Sequence, residues 1–156
     1  MKLTAAPLVL GLLLVAGCAS TAAPDLGLLG DPKDDLSAAQ AVAAVAAHPQ
    51  VGVIGTFAME VKGAGRQDGR LYLYSDADYR DPRCLTVAIE PRIEQMLSVR
   101  LGGDPASLLK GKKIRVCGTA LRVTVWLTTK GVRTDQHYYQ TQVAPLEASA
   151  LVVVAK

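Results

Sequence analysis

Histidine is nearly absent: the 156-residue sequence holds two, His48 and His137, and cysteine is scarce at three. These shortages argue against a zinc centre, which needs about four His, Cys or carboxylate ligands held close together. No G-x-S-x-G elbow is present, and no nucleophile stands beside a base, so no catalytic set is evident for acyl transfer. The pair that stands against this is Asp135 and His137. Two positions apart on a strand they share a face, and a small hydrolytic site built on them is the enzyme alternative. Charge is also modest, at +3, below that of a dedicated DNA binder. No apolar run reaches the roughly 20 residues that a membrane-crossing helix needs. There is no internal repeat and no cofactor motif.

What is present begins at the N-terminus. Lys2 supplies a positive start, Leu8 to Val15 a short apolar core, and Val15-Ala16-Gly17-Cys18 a small-residue cut site. This is the pattern of a secretory leader. The last four residues resemble the lipobox of bacterial lipoproteins. The resemblance implies removal of residues 1–17 and lipidation of Cys18, with the mature chain held in a membrane by several acyl chains. Ala19, rather than Asp, follows Cys18, which in that family implies the outer membrane, facing the periplasm. A plain leader cut near Ala19 or Ala22 is the alternative.

Two cysteines remain, Cys84 and Cys117. In an exported chain they either form a disulfide or stay as two buried thiols. A bond across the ~33-residue loop is worth ~3 kcal/mol in the chain-entropy model.

Residues 18–35, with Pro24, Gly27, Gly30, Pro32 and four aspartates, read as a flexible tether. Residues 36–48 hold an alanine-rich helix, Ser37 to Ala47, capped by Asp35 or Ser37 and stopped by His48-Pro49. It reads as a short helix covering an open end of the domain. Residues 49–156 form that domain. Strands are expected at 51–62, 70–75, 84–89, 113–128, 136–143 and 150–154. Residues 63–69 read as a turn cluster with a hairpin signal at Asp68-Gly69; 76–83 and 129–135 read as loops. A helix at 92–101 opens at Pro91, buries Ile93, Met96, Leu97 and Leu101, and stops at Gly102-Gly103. Asp104 caps a further short turn. In the long strand the apolar phase changes between Val116 and Leu121, which predicts a β-bulge near Gly118.

Three strands, a helix and two strands is the order of a small OB-like Greek-key β-barrel of about five strands, so the class is mainly β. Leu71–Ser75, Asp78–Pro82, Leu85–Ile89, Leu109–Val116 and Gly118-Thr119 also resemble a bacterial family of exported OB-like domains, over residues 50–155. The resemblance implies a fold and no catalytic residues. Gln136 to Val143 is longer and more polar than the family's last strand.

The expected activity is therefore binding. Arg70, Tyr72, Tyr74, Arg80, Arg115, Tyr138 and Tyr139 are the candidate ligand face, and an envelope protein or a polyanion the expected partner. A nucleic-acid or polyanion binder is the alternative function. Asp76, Asp78 and Asp81 cluster like oxygen ligands, but the calcium-loop spacing and its closing Glu are missing, so no metal is assigned.

Overall fold

The computed structural model describes residues 32–155. The leader, the lipobox at Cys18 and most of the tether lie outside them. Among the described residues the chain is mainly β: eight strands in one mixed sheet, with three α-helices. No described helix is long and apolar enough to cross a membrane.

The helix α1 (Ala38–Ala47) follows a short strand β1 (Leu36–Ser37) and is fixed by a capping box. Ser37 Oγ accepts from the Gln40 backbone N–H, and Gln40 Oε1 accepts from that of Ser37. Each bond satisfies an N–H left over at the helix start. Asp35 has another task, described below. Ala41 and Val45, four apart, form the buried stripe.

Next come β2 (Val53–Glu60), β3 (Gly63–Gln67) and β4 (Arg70–Tyr74). The turn expected over 63–69 is confined to Asp68-Gly69, whose φ values of 52° and 78° make a two-residue loop of primed type. Residues 63–67 are a strand instead. Their glycines give room to a neighbouring ring: a Cβ on Gly65 would lie 3.2 Å from Tyr74 Oη. Close approach of this kind gives a strand the composition of a turn.

In β5 (Leu85–Ile89) all five residues are buried, not only Leu85, Val87 and Ile89. It is a central strand, between β4 and a later parallel strand, and on its other face Thr86 is flanked by the larger Tyr74 and Gln142, and Ala88 by Tyr72. Helix α2 (Pro91–Leu101) buries Ile93 and Leu97 and ends on left-handed Gly102, while Met96 stays half exposed. A five-residue helix, α3 (Pro105–Leu109), is capped by Asp104.

The long strand β6 (Lys113–Thr129) turns at Lys130-Gly131 into β7 (Val132–Ala144), and β8 (Leu151–Val153) closes on β6. The loop expected over 129–135 is therefore only a two-residue turn. No bulge occurs near Gly118, because the β2–β6 register is unbroken from Lys113 to Ala120; the irregularity lies between Trp126 and Thr128. Gly118 serves close approach, since a Cβ there would be 2.7 Å from the Ala144 carbonyl oxygen. The apolar phase changes because the strand outruns the core. Ile114, Val116 and Ala120 face inward; Leu121, Val123, Val125 and Leu127 lie on the opposite face, exposed or half-buried.

Pairing runs β1-β2-β6-β7-β5-β4-β3, with β8 beside β6. The strands β2 and β3, far apart on this path, are joined by Val61-Lys62 alone. There the Val61 N–H donates to the Lys112 carbonyl and the Lys62 N–H to the Tyr74 carbonyl. The core under the sheet contains Phe57, Leu71, Leu73, Leu85, Val87, Ile114, Val116 and Leu151, with Ile93 and Leu97 from α2. From Leu121 to Gln140 the strands β6 and β7 pair, among the described residues, with one another alone, making a ribbon that leaves the sheet.

Candidate ligand-binding faces

Cross-strand register decides which side chains meet. Tyr74 is opposite Thr86, Thr86 beside Gln142, and Gln142 opposite Leu121. Alternation then sets Tyr72, Tyr74, Tyr138, Gln140, Val123 and Val125 on that same face. They border a groove of about 260 Å³ between β4 and the ribbon, which Arg70, Tyr79 and Trp126 also line. Arg70 spends its charge on Glu90, at 2.7 Å. The tyrosines Tyr74 and Tyr79 stand with ring centroids 5.4 Å apart. Burial, helped by Tyr79, pushes the Tyr74 hydroxyl up to about 12. Burial also raises Tyr138, with a further contribution from Tyr79.

Gln140 holds the groove wall together. It is 6% exposed; its Nε2 donates to the Tyr79 carbonyl at 2.9 Å, and its Oε1 accepts from Gln142 Nε2 at 2.9 Å. The loop 76–83 is thereby tied to β7. Within that loop the aspartates serve the backbone. Asp76 accepts from the Asp78 N–H, Asp78 from that of Arg80, and Asp81 from that of Arg83. Hydrogen bonds from the Arg83 side chain and backbone hold the Asp81 carboxyl down to about 2.

A second cavity, of about 460 Å³, lies on the other side of Tyr138 and Gln140, between α1 and the ribbon's base. It takes in two expected residues, Arg80 and Tyr139, together with Arg122, Val42, Val45 and Pro82. The ribbon's other face is exposed and carries a row of contacts. Arg133 lies over Trp126 at 3.7 Å, Trp126 meets His137 at 4.8 Å, His137 meets Tyr139 at 5.3 Å, and Arg122 lies over Tyr139 at 3.8 Å.

The structure thus joins Arg70, Tyr72, Tyr74 and Tyr138 at one groove and places Arg80 and Tyr139 next door. Arg115 belongs to neither. It faces β1 and grips Asp35, Nε to Oδ2 at 2.5 Å, with both side chains largely buried. Its parity on β6 turns it toward the N-terminal strand, so it is a structural cation. Asp135 and His137 are both exposed, and no hydrogen bond joins them; His137 is taken up in the ring row. Cys84 is buried and Cys117 half-buried, and both are free thiols. Of the two alternatives left open by the sequence the structure has the separate thiols, with β7 between the strands β5 and β6. Among the described residues no three His, Cys, Asp or Glu side chains gather as for a metal ion.

Sequence reasoning passed over Tyr79, Arg122, Trp126, Arg133 and Gln140. The Lys130-Gly131 turn by itself fixes only the tip, where Thr128 is opposite Arg133. The irregularity between Trp126 and Thr128, which has no signal in the sequence, then shifts the register by two and brings Trp126 opposite His137 and Arg122 opposite Thr141.

No family model matches this chain, and no curated protein matches it. Among solved structures, a chain described as an aspartyl-tRNA synthetase from Leishmania major Friedlin is similar with a TM-score of 0.38. The identity is 10%, over 74% of this chain and 20% of that one. An aspartyl tRNA synthetase from Entamoeba histolytica gives a TM-score of 0.35 at 9% identity, over 94% of this chain and 24% of that one. The chain thus spans less than a quarter of either protein, and likenesses this slight carry no argument about what it does.

Proposed function

We propose that this protein is a lipid-anchored module of the bacterial envelope, a non-catalytic binder that takes an extended, largely uncharged ligand in the groove between β4 and the ribbon. The fold reading is an OB-like Greek-key barrel. In its support, β2 and β3 are two halves of one strand bent at Val61-Lys62, so the pairing path returns to its own start. The face of such barrels that carries oligonucleotides or oligosaccharides spans their second and third strands, with the flanking hairpin loops. Here that region is β4, β5 and the loops at Asp68-Gly69 and Lys130-Gly131.

The observation that carries the ligand class is the lining. Four tyrosines, Tyr72, Tyr74, Tyr79 and Tyr138, meet three amides, Gln67, Gln140 and Gln142, while the charged residues at the rim are Asp68 and Arg70, the latter paired with Glu90. Rings with hydrogen-bonding tips and amides suit a hydroxyl-rich chain; a polyanion needs cations that remain available. A cell-wall glycan is the reading this favours. One observation favours the polyanion alternative: Arg80, Arg122 and Arg133 hold no carboxylate among the described residues. Salt separates the two. Binding to a neutral N-acetylglucosamine oligomer should be indifferent to salt, whereas polyanion binding falls steeply as salt rises.

Support for the anchor is the Val15–Cys18 motif and the apolar run before it. Mass spectrometry of the mature N-terminus should find acylated Cys18; a chain starting at Ala19 or later would contradict the anchor.

A further inference from the structure

We propose that the second cavity, between α1 and the ribbon's base, binds an amphipathic anion: a carboxylate or phosphate monoester on an alkyl body. Its wall from α1 is apolar, with Val42 half-buried and Val45 fully buried, and Pro82 closes it from the 76–83 loop. Two guanidinium groups stand at the same cavity, Arg80 and Arg122. Four other arginines, Arg66, Arg70, Arg83 and Arg115, are each paired with a carboxylate. Arg80 and Arg122 have none among the described residues. Asp81, next to Arg80 in sequence, is paired with Arg83 instead. Asp78, two residues before Arg80, accepts from the Arg80 backbone N–H at 2.9 Å and reaches the guanidinium through space without a salt bridge.

Both guanidiniums are held by rings. Arg122 lies 3.8 Å from the Tyr139 centroid, and Arg80 lies 5.3 Å from that of Tyr79 while its Nε donates to Tyr79 Oη at 3.1 Å. A ring fixes the plane of the cation and leaves its terminal N–H groups free to fork onto an oxyanion. The bond from Gln140 to the Tyr79 carbonyl sets the loop bearing Arg80 against the strand beside Arg122. Gln140 is thus a positioning residue here. Two like charges with no salt bridge among the described residues, at one concave site, favour an anion, and the apolar wall favours one with an alkyl body. The volume, about 460 Å³, is that of a small-molecule site. The inference is independent of what the neighbouring groove binds.

The test is calorimetric titration of the full chain with decanoate, decyl phosphate, decanol and inorganic phosphate, all below micelle-forming concentrations. At least one alkyl anion should bind ten-fold or more tighter than decanol and than inorganic phosphate, and the two alkyl anions tell which headgroup is preferred. The R80Q/R122Q double variant should lose that preference while unfolding at the wild-type temperature. V42E should lower alkyl-anion binding at least ten-fold, because it offers the two arginines a carboxylate of their own. Failure of both alkyl anions to bind, equal binding of decanol or of inorganic phosphate, or full binding by either variant would overturn the proposal.

Discussion

The side chains that depart furthest from ordinary surface behaviour are Asp35 and Arg115. Their ion pair is largely buried and bidentate, and it ties the first described strand to β6. Removing one partner of a buried pair of this kind costs about 3 kcal/mol or more. Asp35→Ala should therefore lower stability by about that much in denaturant titration, and a loss below about 1 kcal/mol would contradict the assignment. Titration supplies a second prediction. Asp81 and Asp104 both have carboxyls held down to about 2, Asp81 by Arg83 and Asp104 by Ser107 and then Arg66. An unfolded aspartate titrates near ~3.9. A depressed folded value contributes stability above the unfolded one, and that contribution is lost as pH falls toward 2. Unfolding midpoints should hold from neutrality to about pH 5 and fall below about pH 4. At the alkaline end the sign reverses: Tyr74, raised to about 12 by burial, favours the fold below about pH 10 and loses that contribution as pH climbs through 12. Tyrosinate absorbance should show an ionisation near pH 12, and Tyr74→Phe should remove that component.

At the level of elements, much was legible from sequence because the signals were local. Ser37 and Gln40 spell a capping box, Asp68-Gly69 a primed turn, Pro91 and Gly102 the ends of α2, and Asp104 the start of α3. The misreadings share one cause. Gly63, Gly65 and Gly118 were read for backbone freedom, yet two give room to the Tyr74 ring and one to the Ala144 carbonyl, both distant in the chain. Such reasons appear only when strands are side by side. Gly118→Ala sets a Cβ 2.7 Å from backbone that has little room to yield, and should destabilise by about 1–3 kcal/mol. An unchanged midpoint would mean that β7 moves freely away from β6. The ribbon makes the opposite prediction. Its row of Arg133, Trp126, His137, Tyr139 and Arg122 lies beyond the core, so Trp126→Ala should cost less than about 1 kcal/mol, despite removing the chain's one tryptophan. The candidate face was half legible for the same reason. Strand alternation puts Tyr72 and Tyr74 together, but only the β4–β5 and β5–β7 registers bring Tyr138 over to them, and only the fold brings Asp35 to Arg115.

For the molecule as a whole, the described domain divides its labour. A closed hydrophobic core under β2, β4, β5 and β6 provides rigidity, and the ribbon that overruns it provides surface. Two cavities share Tyr138 and Gln140 as their dividing wall, one amide-rich and aromatic, the other apolar with two arginines that form no salt bridge among the described residues. If the proposed anchor at Cys18 is acylated, the domain would present both cavities to the periplasm. The central claim is that the groove between β4 and the ribbon takes a neutral, hydroxyl-rich chain. Its most direct test is calorimetric titration of the protein with a neutral N-acetylglucosamine oligomer, at low and at high salt. The account predicts one affinity at both salts and at least a ten-fold loss in Tyr72→Ala/Tyr138→Ala; absence of binding, or binding that fades with salt and ignores that double substitution, would contradict it.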